Sequence, residues 1–451
     1  MTPVGAPPGG EGFSPGAADP TLSPAQALAD WVRRDYPQTL PSPEHVSSWE
    51  RTTCRACGTE DLVEILSLGD LPPANAYVRP AELDQPESRF PLSLRLCEEC
   101  GMVQLGHVVP PDMLFRSYLF FTSSSQKMTE HFSRLMRENT EEFVGPGGLV
   151  VEIGSNDGSA LAAIERDDVR ILGVDPSRNI SVMAAARGVP TIAEFFTEAL
   201  ADEIVRVAGR AELIVGCNVL GHIDDLDDVC RGLTALLADN GAFVFEVPYL
   251  GEMVDRMEYD TIYHEHLSYF AVRPLARLFA RNGLRLDKVE FVSVHGGSLR
   301  GTVVKDDGQS PAVEALISAE IERGLGEEAS YTTLATRVHD HGVALRSRLS
   351  ELRSAGVKVI GYGAPAKGTV VLNYCEIGTD LLPVVLDSTP AKQGLHVPGT
   401  HQPILHPSEM DSQRPDVLLL LAWNHAEEIV AREAAFRERG GRFLTPHLIE
   451  L

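Results

Sequence analysis

The sequence predicts a multidomain α/β protein, with a small metal-binding domain followed by two domains that each have a glycine-rich loop after the first strand of a sheet. Three observations predict this organisation. Two C-x-x-C pairs occur near residues 54 and 100, VVEIGSNDG occurs near residue 150, and VIGYGAPAKG occurs near residue 360. A chain of 451 residues is also too long for one ordinary core, so two or three domains are expected.

Composition limits the classes of partner that the protein can have. The formal net charge of −25 argues against a nucleic-acid-binding surface, which needs a basic patch. No window approaches about 18 uninterrupted apolar residues, which a transmembrane helix needs. The N-terminus also lacks the basic start and apolar run of a signal peptide. The sequence therefore predicts a cytoplasmic protein without a nucleic-acid or membrane partner, and it leaves the oligomeric state open.

The first predicted domain, residues 48–110, contains two cysteine pairs. It follows a flexible extension, residues 1–47, with a possible helix in PAQALADWVRRDY. Each C-x-x-C pair directs two thiolates at one cation, and two pairs complete a closed zinc site that holds the fold. Unrelated reduced thiols and a redox pair are the alternatives. The predicted zinc ligands are Cys54, Cys57, Cys97 and Cys100.

The second predicted domain, residues 111–305, begins its sheet with an apolar run at 149–153 that leads into a glycine-rich turn. The turn lacks the dinucleotide pattern G-x-G-x-x-G, and Glu152 lies where a pyrophosphate would be repelled. S-adenosylmethionine carries a sulfonium and an ammonium group, so acidic residues favour it as the cofactor. Asp175, at the end of the next strand, suits the ribose hydroxyls of this cofactor, although it would also suit NAD.

The predicted cofactor site lies at the carboxyl edge of this sheet, where ligands of open α/β sheets bind. It combines acids, amides, an aromatic ring and a turn glycine. Its residues are Glu152, Gly154, Asn156, Asp157, Asp175, Glu194, Phe195 and Asn218. A similar domain with a different cofactor is the alternative.

The segment YDTIYHEHLSYF, residues 259–270, follows the fifth predicted strand of this domain. Its H-E-H differs from the H-E-x-x-H of zinc proteases, so a metal site here would need a third ligand from elsewhere. The favoured interpretation is a histidine base with a pKa near neutral. Methyl transfer to carbon needs such a base, because a proton must leave a carbon and hydrogen-bond donors must stabilise the enolate. Polar residues without a catalytic role are the alternative.

The third predicted domain, residues 306–451, has the pattern G-x-G-x-x-A, which places a pyrophosphate on a helix N-terminus. Asp387 ends the next strand, so an NAD-dependent oxidoreductase is the rival interpretation. The chain has only six lysines, yet Lys367 lies in this loop and Lys392 follows Asp387. Cations beside such a loop favour the diphosphate of a nucleotide sugar.

A series of motifs runs in order from Cys54 to the C-terminus: CRAC…CEEC, SYLFFTSSS, VEIGSNDG, GVDPS, AEFF, YHEHLSYF, HGGSLR, GYGAPAKG and KQGLHVPGTHQPI. As a set they resemble those of the zinc-containing sugar C-methyltransferases of antibiotic deoxysugar pathways, which methylate nucleotide-bound 4-ketosugars. The resemblance implies a four-cysteine zinc-binding domain and a central class I Rossmann-like methyltransferase domain. It also implies a C-terminal Rossmann-like α/β domain that binds the nucleotide sugar.

The resemblance also implies roles for individual residues. His266 is expected to remove the proton alpha to the ketone, Tyr263 and His222 to polarise the enolate oxygen, and Glu265 to orient a neighbour, while His264 is expected to be structural. The substrate-binding residues are expected to be Tyr118, His295, Gly361, Gly363, Lys367, Lys392 and His396. The implied substrate is a nucleoside-diphosphate 4-keto-6-deoxysugar with thymidine as its nucleoside. An NAD-dependent nucleotide-sugar oxidoreductase and a non-catalytic zinc-containing scaffold are the alternatives.

Overall fold

The computed structural model describes residues 49–115, 122–294, 296–306, 308 and 310–451. Its strands form a two-stranded pair, a four-stranded antiparallel sheet, a seven-stranded mixed sheet and a five-stranded parallel sheet. The three larger sheets confirm the predicted α/β multidomain class. The predicted extension at residues 1–47 lies outside the described residues.

Strands dominate the cysteine-containing domain, whereas strands and helices alternate through much of the rest of the described chain. The strands are β1 (Trp49–Glu50), β2 (Leu62–Leu71), β3 (Phe90–Cys97), β4 (Val103–Leu105), β5 (His107–Val108), β6 (Leu149–Ile153), β7 (Arg170–Val174), β8 (Thr191–Ile192), β9 (Ala211–Cys217), β10 (Leu237–Pro248), β11 (Ser268–Tyr269), β12 (Arg285–Val292), β13 (Ser298–Val304), β14 (Val359–Tyr362), β15 (Val385–Leu386), β16 (Ile404–Leu405), β17 (Val417–Leu420) and β18 (Arg442–Leu444). The helices are α1 (Pro111–Phe115), α2 (Gln126–Phe143), α3 (Arg178–Ala186), α4 (Glu198–Ala208), α5 (Leu226–Leu236), α6 (Leu250–Arg256), α7 (Val272–Arg281), α8 (Pro311–Glu322), α9 (Glu328–Ser354), α10 (Ala366–Tyr374), α11 (Met410–Gln413), α12 (Ala426–Arg432) and α13 (Ala434–Glu438).

The four-stranded sheet has the order β11-β4-β3-β2, and its edge strand comes from far along the chain. Ser268 and Tyr269 pair with Gln104 and Val103 in antiparallel register. The histidine-rich segment that precedes β11 is therefore attached to the sheet of the cysteine-containing domain. The predicted domain boundaries place β11 in the second domain, whereas it forms an edge strand of the first domain's sheet.

The seven-stranded sheet has the order β12-β13-β10-β9-β6-β7-β8. Its strands β10, β9, β6, β7 and β8 are parallel, and β13 and β12 add an antiparallel edge. Strand β6 coincides with the predicted apolar run, and all five of its residues are buried because layers cover both faces of the sheet. The carboxyl ends of the parallel strands meet at one edge, which brings the loops after β6, β7 and β9 together.

The five-stranded sheet has the order β16-β15-β14-β17-β18, and all its neighbouring strands are parallel. Two helices, α8 and α9, connect it to the central sheet. The two helices are separated at Gly324, whose φ of +73° ends α8 in a turn.

One apolar core runs through all three sheets, and it includes Tyr77, Phe245 and Leu345. Such a core holds the loops of the three domains in fixed positions relative to one another. Within the described part of the chain, no helix combines the length and the apolarity that a bilayer span requires. The cytoplasmic location stays a prediction.

Candidate functional site

The four predicted zinc ligands form a compact cluster. The Sγ atoms of Cys54 and Cys100 lie 3.6 Å apart, as do those of Cys57 and Cys97, and all four lie within 4.8 Å of one another. A tetrahedral Zn²⁺ with Zn–S bonds of about 2.3 Å needs sulfur atoms about 3.8 Å apart, so the cluster fits this ion. Four protein ligands fill a tetrahedral site, and the zinc is therefore structural.

A metal pair in the H-E-H segment is not seen. His264 Nε2 lies 3.1 Å from the Phe90 carbonyl oxygen, whereas His266 Nδ1 lies 2.8 Å from the Thr261 carbonyl oxygen. Within the ranges that the structure describes, the four-cysteine cluster is the one group of histidine, cysteine and acidic side chains with metal-binding geometry.

The glycine-rich loop after β6 is held by the acid at the end of β7. The Asp175 carboxylate accepts hydrogen bonds from the backbone N–H groups of Asn156 (2.9 Å) and Ser177 (2.8 Å). Gly154 and Asn156 have φ values of +70° and +49°, which turn the backbone sharply at the end of the strand. Each carboxylate oxygen has a second lone pair, so Asp175 retains acceptor capacity for ribose hydroxyls.

Three carboxyl groups lie close together at this loop. Glu152 is buried, and its pKa is raised well above the usual value by burial and by the nearby Asp175 and Asp157. Its Oε2 atom makes no hydrogen bond to any described residue. A cation bound here would lower the cost of ionising Glu152, which matches the sulfonium and ammonium groups of S-adenosylmethionine.

The other predicted cofactor residues occupy different positions around the loop. Asp157 lies beneath it, where its carboxylate accepts from Ser123 N–H and pairs with Arg187 at 3.2 Å. Asn218, after β9, has a φ of +54° and a buried Oδ1 atom that makes no hydrogen bond to the described residues. Glu194 is exposed and Phe195 is half-buried, and both follow β8.

Three rings of the predicted catalytic cluster lie together at the carboxyl edge of the central sheet. The His266 ring centroid lies 3.9 Å from that of Tyr263 and 5.0 Å from that of His222. Because a carbonyl oxygen only accepts hydrogen bonds, the Thr261 contact assigns the His266 proton to Nδ1. In the neutral ring the lone pair is then on Nε2, as a general base requires.

His222 has the same tautomer. Its Nδ1 atom donates to the Glu265 carbonyl oxygen over 2.6 Å. Burial lowers the pKa of His222 from 6.5, so the ring is neutral at neutral pH. A neutral ring with its proton on Nδ1 cannot donate from Nε2, and His222 polarises an enolate oxygen only after it has taken up a proton.

The remaining acid and histidine of the segment are both buried. Glu265 is 2% exposed, and its Oε1 atom accepts a hydrogen bond of 2.8 Å from Asn75 of the cysteine-containing domain. His264 is fixed against Phe90 of the same domain, and burial lowers its pKa to about 4. The two side chains therefore face the first domain rather than the rings of His222 and His266.

Residues of two domains make hydrogen bonds to the glycine-rich loop after β14. The Asp387 carboxylate accepts the Ala364 N–H over 2.6 Å, so the acid that suggested NAD also holds the loop. The Ala364 carbonyl oxygen accepts from the Tyr77 hydroxyl (2.6 Å) and from Lys392 Nζ (2.8 Å). Lys392 thus lies beneath the loop, close to Tyr77 of the first domain.

Lys367 is the predicted substrate residue that faces the central domain. Its Nζ atom lies 3.7 Å from Glu258 Oε2 and 4.9 Å from the centre of the Trp423 ring. Trp423 Nε1 donates to Asp260 Oδ2 over 2.5 Å. Lys367 Nζ, Glu258 Oε1 and Asp260 Oδ1 are buried and make no hydrogen bond to described residues. This group leaves donor and acceptor capacity for a ligand between the two domains.

The other predicted substrate residues have different surroundings. Gly361 is buried in β14, and Gly363 has a φ of +84° and approaches Ala422 closely. His396 exchanges two backbone hydrogen bonds with Val78, which binds the third domain to the first. Tyr118 and His295 lie outside the described residues.

Several residues that join the three domains were not predicted from the sequence. Asn75 and Tyr77 lie in an ordinary Pro-Pro-Ala-Asn-Ala-Tyr stretch, and their partners are 190 and 287 positions away. Glu258 and Asp260 flank Tyr259 at the start of the histidine-rich segment, and the density of acids there was the available signal. Trp423 follows β17 at the carboxyl edge, and its position after a strand could have identified it.

Models of three protein families match the chain in order. They describe a zinc binding domain (residues 54–115), a methyltransferase domain (residues 128–289) and a C-methyltransferase C-terminal domain (residues 293–447). A curated relative, C-methyltransferase NovU of Streptomyces niveus, is 38% identical over 397 residues, which is 87% of this chain and 94% of the relative.

Solved structures also resemble part of the chain. Magnesium protoporphyrin IX methyltransferase from Synechocystis PCC 6803, with bound SAH, is 14% identical with a TM-score of 0.31, over 40% of this chain and 83% of that one. An S-adenosylmethionine-dependent methyltransferase from Clostridium acetobutylicum is 13% identical with a TM-score of 0.32, over 40% of this chain and 92% of that one.

Proposed function

The chain belongs to the zinc-containing, S-adenosylmethionine-dependent C-methyltransferases, and on this premise we propose that it methylates a nucleotide-bound ketosugar. The proposed substrate is a thymidine-diphosphate 4-keto-6-deoxysugar of an antibiotic deoxysugar pathway. The proposed methylation site is a carbon next to the ketone. The observation that carries the proposal is the ring cluster of His266, Tyr263 and His222, with the His266 lone pair on Nε2.

The proposed chemistry begins with proton transfer to His266. Its Nε2 atom takes the proton from the carbon next to the ketone, and the electrons of the C–H bond form the enolate. Tyr263 is the hydrogen-bond donor to the enolate oxygen, because His222 is neutral and has its proton on Nδ1. S-adenosylmethionine, when bound, supplies the methyl group to the enolate carbon and leaves as S-adenosylhomocysteine. A positioned base typically contributes on the order of 10²–10⁴-fold.

Glu265 has an orienting role in this proposal. Its backbone carbonyl fixes the His222 ring, and its side chain is itself held by Asn75. The acid therefore sets the position of one histidine through its main chain and of the segment through its side chain.

The charges between the central and third domains support an anionic, hydroxyl-bearing substrate. Lys367 offers an ammonium group without a hydrogen-bond partner among the described residues, which suits a diphosphate oxygen. The unsatisfied carboxylate oxygens of Glu258 and Asp260 suit N–H or O–H groups of the same ligand. The Trp423 ring beside them offers an apolar face.

The test has two arms, both with a thymidine-diphosphate 4-keto-6-deoxysugar. In the first, the protein and S-adenosylmethionine should add the mass of one methyl group at a carbon, with loss of one carbon-bound hydrogen. In the second, the protein and S-adenosylhomocysteine in D₂O should exchange that hydrogen for deuterium. A methyl group on oxygen or nitrogen, with no exchange, would contradict the enolate mechanism. An NAD-dependent absorbance change would contradict the methylation itself.

A further inference from the structure

One buried arginine connects the zinc-binding turn to both loops that bear the catalytic histidines. Arg55 lies between Cys54 and Cys57 and is 1% exposed. We propose that Arg55 is a positioning residue, which holds the loops of His222 and His266 in place against the zinc-binding domain. The inference rests on the proposed function, because that function assigns the proton transfer to these histidines.

The guanidinium group makes direct contact with each loop. Its Nη1 atom donates to the carbonyl oxygen of Leu267, the residue after His266, over 3.2 Å. Its Nε and Nη2 atoms both lie 2.9 Å from Oδ1 of Asp224, which is two residues after His222. The planar fork of arginine makes these contacts at once, which the single ammonium group of lysine cannot reproduce.

Further hydrogen bonds join the same three segments to one another and to β4. The Leu105 N–H, in β4, donates to the Leu267 carbonyl oxygen over 2.9 Å, and the Leu267 N–H donates to Gly221 over 2.7 Å. The Arg55 N–H donates to Gln104 Oε1 over 2.8 Å, beside Leu105. The zinc turn, β4 and the two histidine loops thus form one hydrogen-bonded unit with Arg55 at its centre.

Burial makes this arrangement specific. A charged group without access to water is stable only where its partners neutralise it and accept its hydrogen bonds. Arg55 finds these partners in Asp224, Leu105 and Leu267, so a shift of either histidine loop would break hydrogen bonds of the buried guanidinium. The arginine therefore favours one relative position of the two histidines, and the cysteine cluster fixes the arginine through its own turn.

A second arginine at the same turn provides a matched control. Arg281 donates to the Ala56 carbonyl oxygen over 3.0 Å and pairs with Asp227. It contacts the cysteine turn at Ala56, and its described hydrogen bonds reach neither Asp224 nor Leu267. Loss of Arg281 should disturb the zinc turn without releasing the histidine loops.

The experiment compares Arg55→Met and Arg281→Met in the full-length zinc-loaded protein. Hydrogen exchange, read by mass spectrometry without substrate, should be faster over residues 259–270 and 220–225 in Arg55→Met and unchanged in Arg281→Met. Turnover of Arg55→Met should fall on the order of 10²-fold at unchanged S-adenosylmethionine affinity, because a misplacement of about 1 Å has such an effect. Arg55→Lys, which keeps the charge but not the fork, should recover part of the loss.

Wild-type exchange in those two segments of Arg55→Met would overturn the proposal, as would wild-type turnover despite faster exchange. If Arg55→Met loses zinc, Asp224→Asn decides, because it removes the ion pair with Arg55 from outside the cysteine turn. Asp224 also pairs with Arg51 at 3.3 Å, so Arg51→Met is measured beside it as the control. Faster exchange at residues 220–225 in Asp224→Asn supports the proposal, and wild-type exchange overturns it. Hydrogen exchange needs no substrate, so it tests the role of Arg55 even if the wild-type protein forms no methylated product. Absence of that product would contradict the proposed function but not the positioning role of Arg55.

Discussion

The loops after β6 and β14 have the same backbone design and differ in the charged side chains beside them. In the central domain the Gly154 N–H donates to the Val174 carbonyl oxygen at the end of the neighbouring strand, over 2.8 Å. In the third domain the Gly363 N–H makes the same contact with Leu386, over 2.7 Å. Both glycines have positive φ, so both loops leave their strand with the same sharp turn.

The acid that holds each loop is also used in the same way. Asp175 accepts one N–H from its loop and one from the residue two positions after itself, Ser177. Asp387 accepts the Ala364 N–H and that of Thr389, again two positions after itself, over 2.7 Å. An acid at this position therefore supports the loop in both domains and does not by itself identify a ligand.

The flanking charges distinguish the two loops. The buried acids Glu152 and Asp157 accompany the first, and the cations Lys367 and Lys392 accompany the second. The first suits a cationic methyl donor, and we propose that the second serves an anionic substrate. The lesson is that the backbone fixes where a ligand lies, whereas the side chains beside it fix the sign of the ligand's charge.

The largest expected effect is the loss of turnover when the proposed base is replaced. Replacing His266 with Asn should lower turnover by about 10²–10⁴-fold, because the amide cannot take the proton from carbon. The affinity for S-adenosylmethionine, measured by calorimetry, should stay at the wild-type value. Unchanged turnover in His266→Asn would remove this residue as the base, and a loss in His222→Asn alone would transfer that role to His222.

A matched pair of variants breaks the comparison between the loops. Asp175→Ala should weaken S-adenosylmethionine binding by about 100-fold, because it removes the two charge-assisted hydrogen bonds that we expect between this acid and the ribose. Asp387→Ala removes the equivalent loop contacts in the third domain and should leave donor affinity unchanged. Calorimetric titration of both variants checks this. Equal weakening by the two would mean that Asp175 acts only through the fold.

Replacing Lys367, beside the loop after β14, should weaken substrate binding and leave donor binding unchanged. Lys367→Met should raise the KM for the nucleotide sugar by about 30-fold, the effect of one charge-assisted hydrogen bond, and leave donor affinity unchanged. Lys288→Met, at an exposed position on the edge strand β12, is the control and should behave as wild type. Steady-state kinetics on both variants measures the effect. A wild-type KM in Lys367→Met would remove this lysine from the substrate site.

The smallest expected effect is a pH dependence confined to the donor loop. The raised pKa of Glu152 means that the ligand-free carboxyl group retains its proton above the usual range, whereas a bound cation favours the ionised form. Donor binding should therefore release a proton, and donor affinity should rise with pH, by at most about tenfold per unit, until the pH passes the ligand-free pKa.

Calorimetry in buffers of different ionisation enthalpy measures this proton release, and Glu152→Gln should abolish it. Thymidine diphosphate, for which we propose binding at the other loop, should show no release that depends on Glu152. Proton uptake on donor binding would contradict the charge assignment.

Features that depend on local spacing could be predicted from the sequence. The C-x-x-C pairs fixed the zinc cluster, and the apolar run before Gly154 fixed β6, because neighbours in the chain determine both. The contact of Asn75 with Glu265 and that of Arg55 with Asp224 could not be predicted, since they join residues 190 and 169 positions apart. Such contacts depend on how the domains pack against each other, and no local sequence pattern indicates that packing.

The tautomers of the two histidines show the same limit within the site. The sequence predicted His222 and His266 as site residues but not the carbonyl groups that fix their protons. Residue type alone suggests that His222 donates a hydrogen bond to the enolate oxygen. The Glu265 carbonyl oxygen holds the His222 proton on Nδ1, so the ring can donate from Nε2 only after it has been protonated. Residue identity determines what a side chain can do, and its hydrogen-bond partner determines which of these functions is available.

The most direct test of the two-loop account is a calorimetric titration of the wild-type protein with S-adenosylmethionine, thymidine diphosphate and NAD. The account predicts one equivalent of S-adenosylmethionine and one of thymidine diphosphate bound at the same time, each without displacing the other, and no binding of NAD. Competition between the first two ligands, or tight binding of NAD in place of thymidine diphosphate, would contradict it.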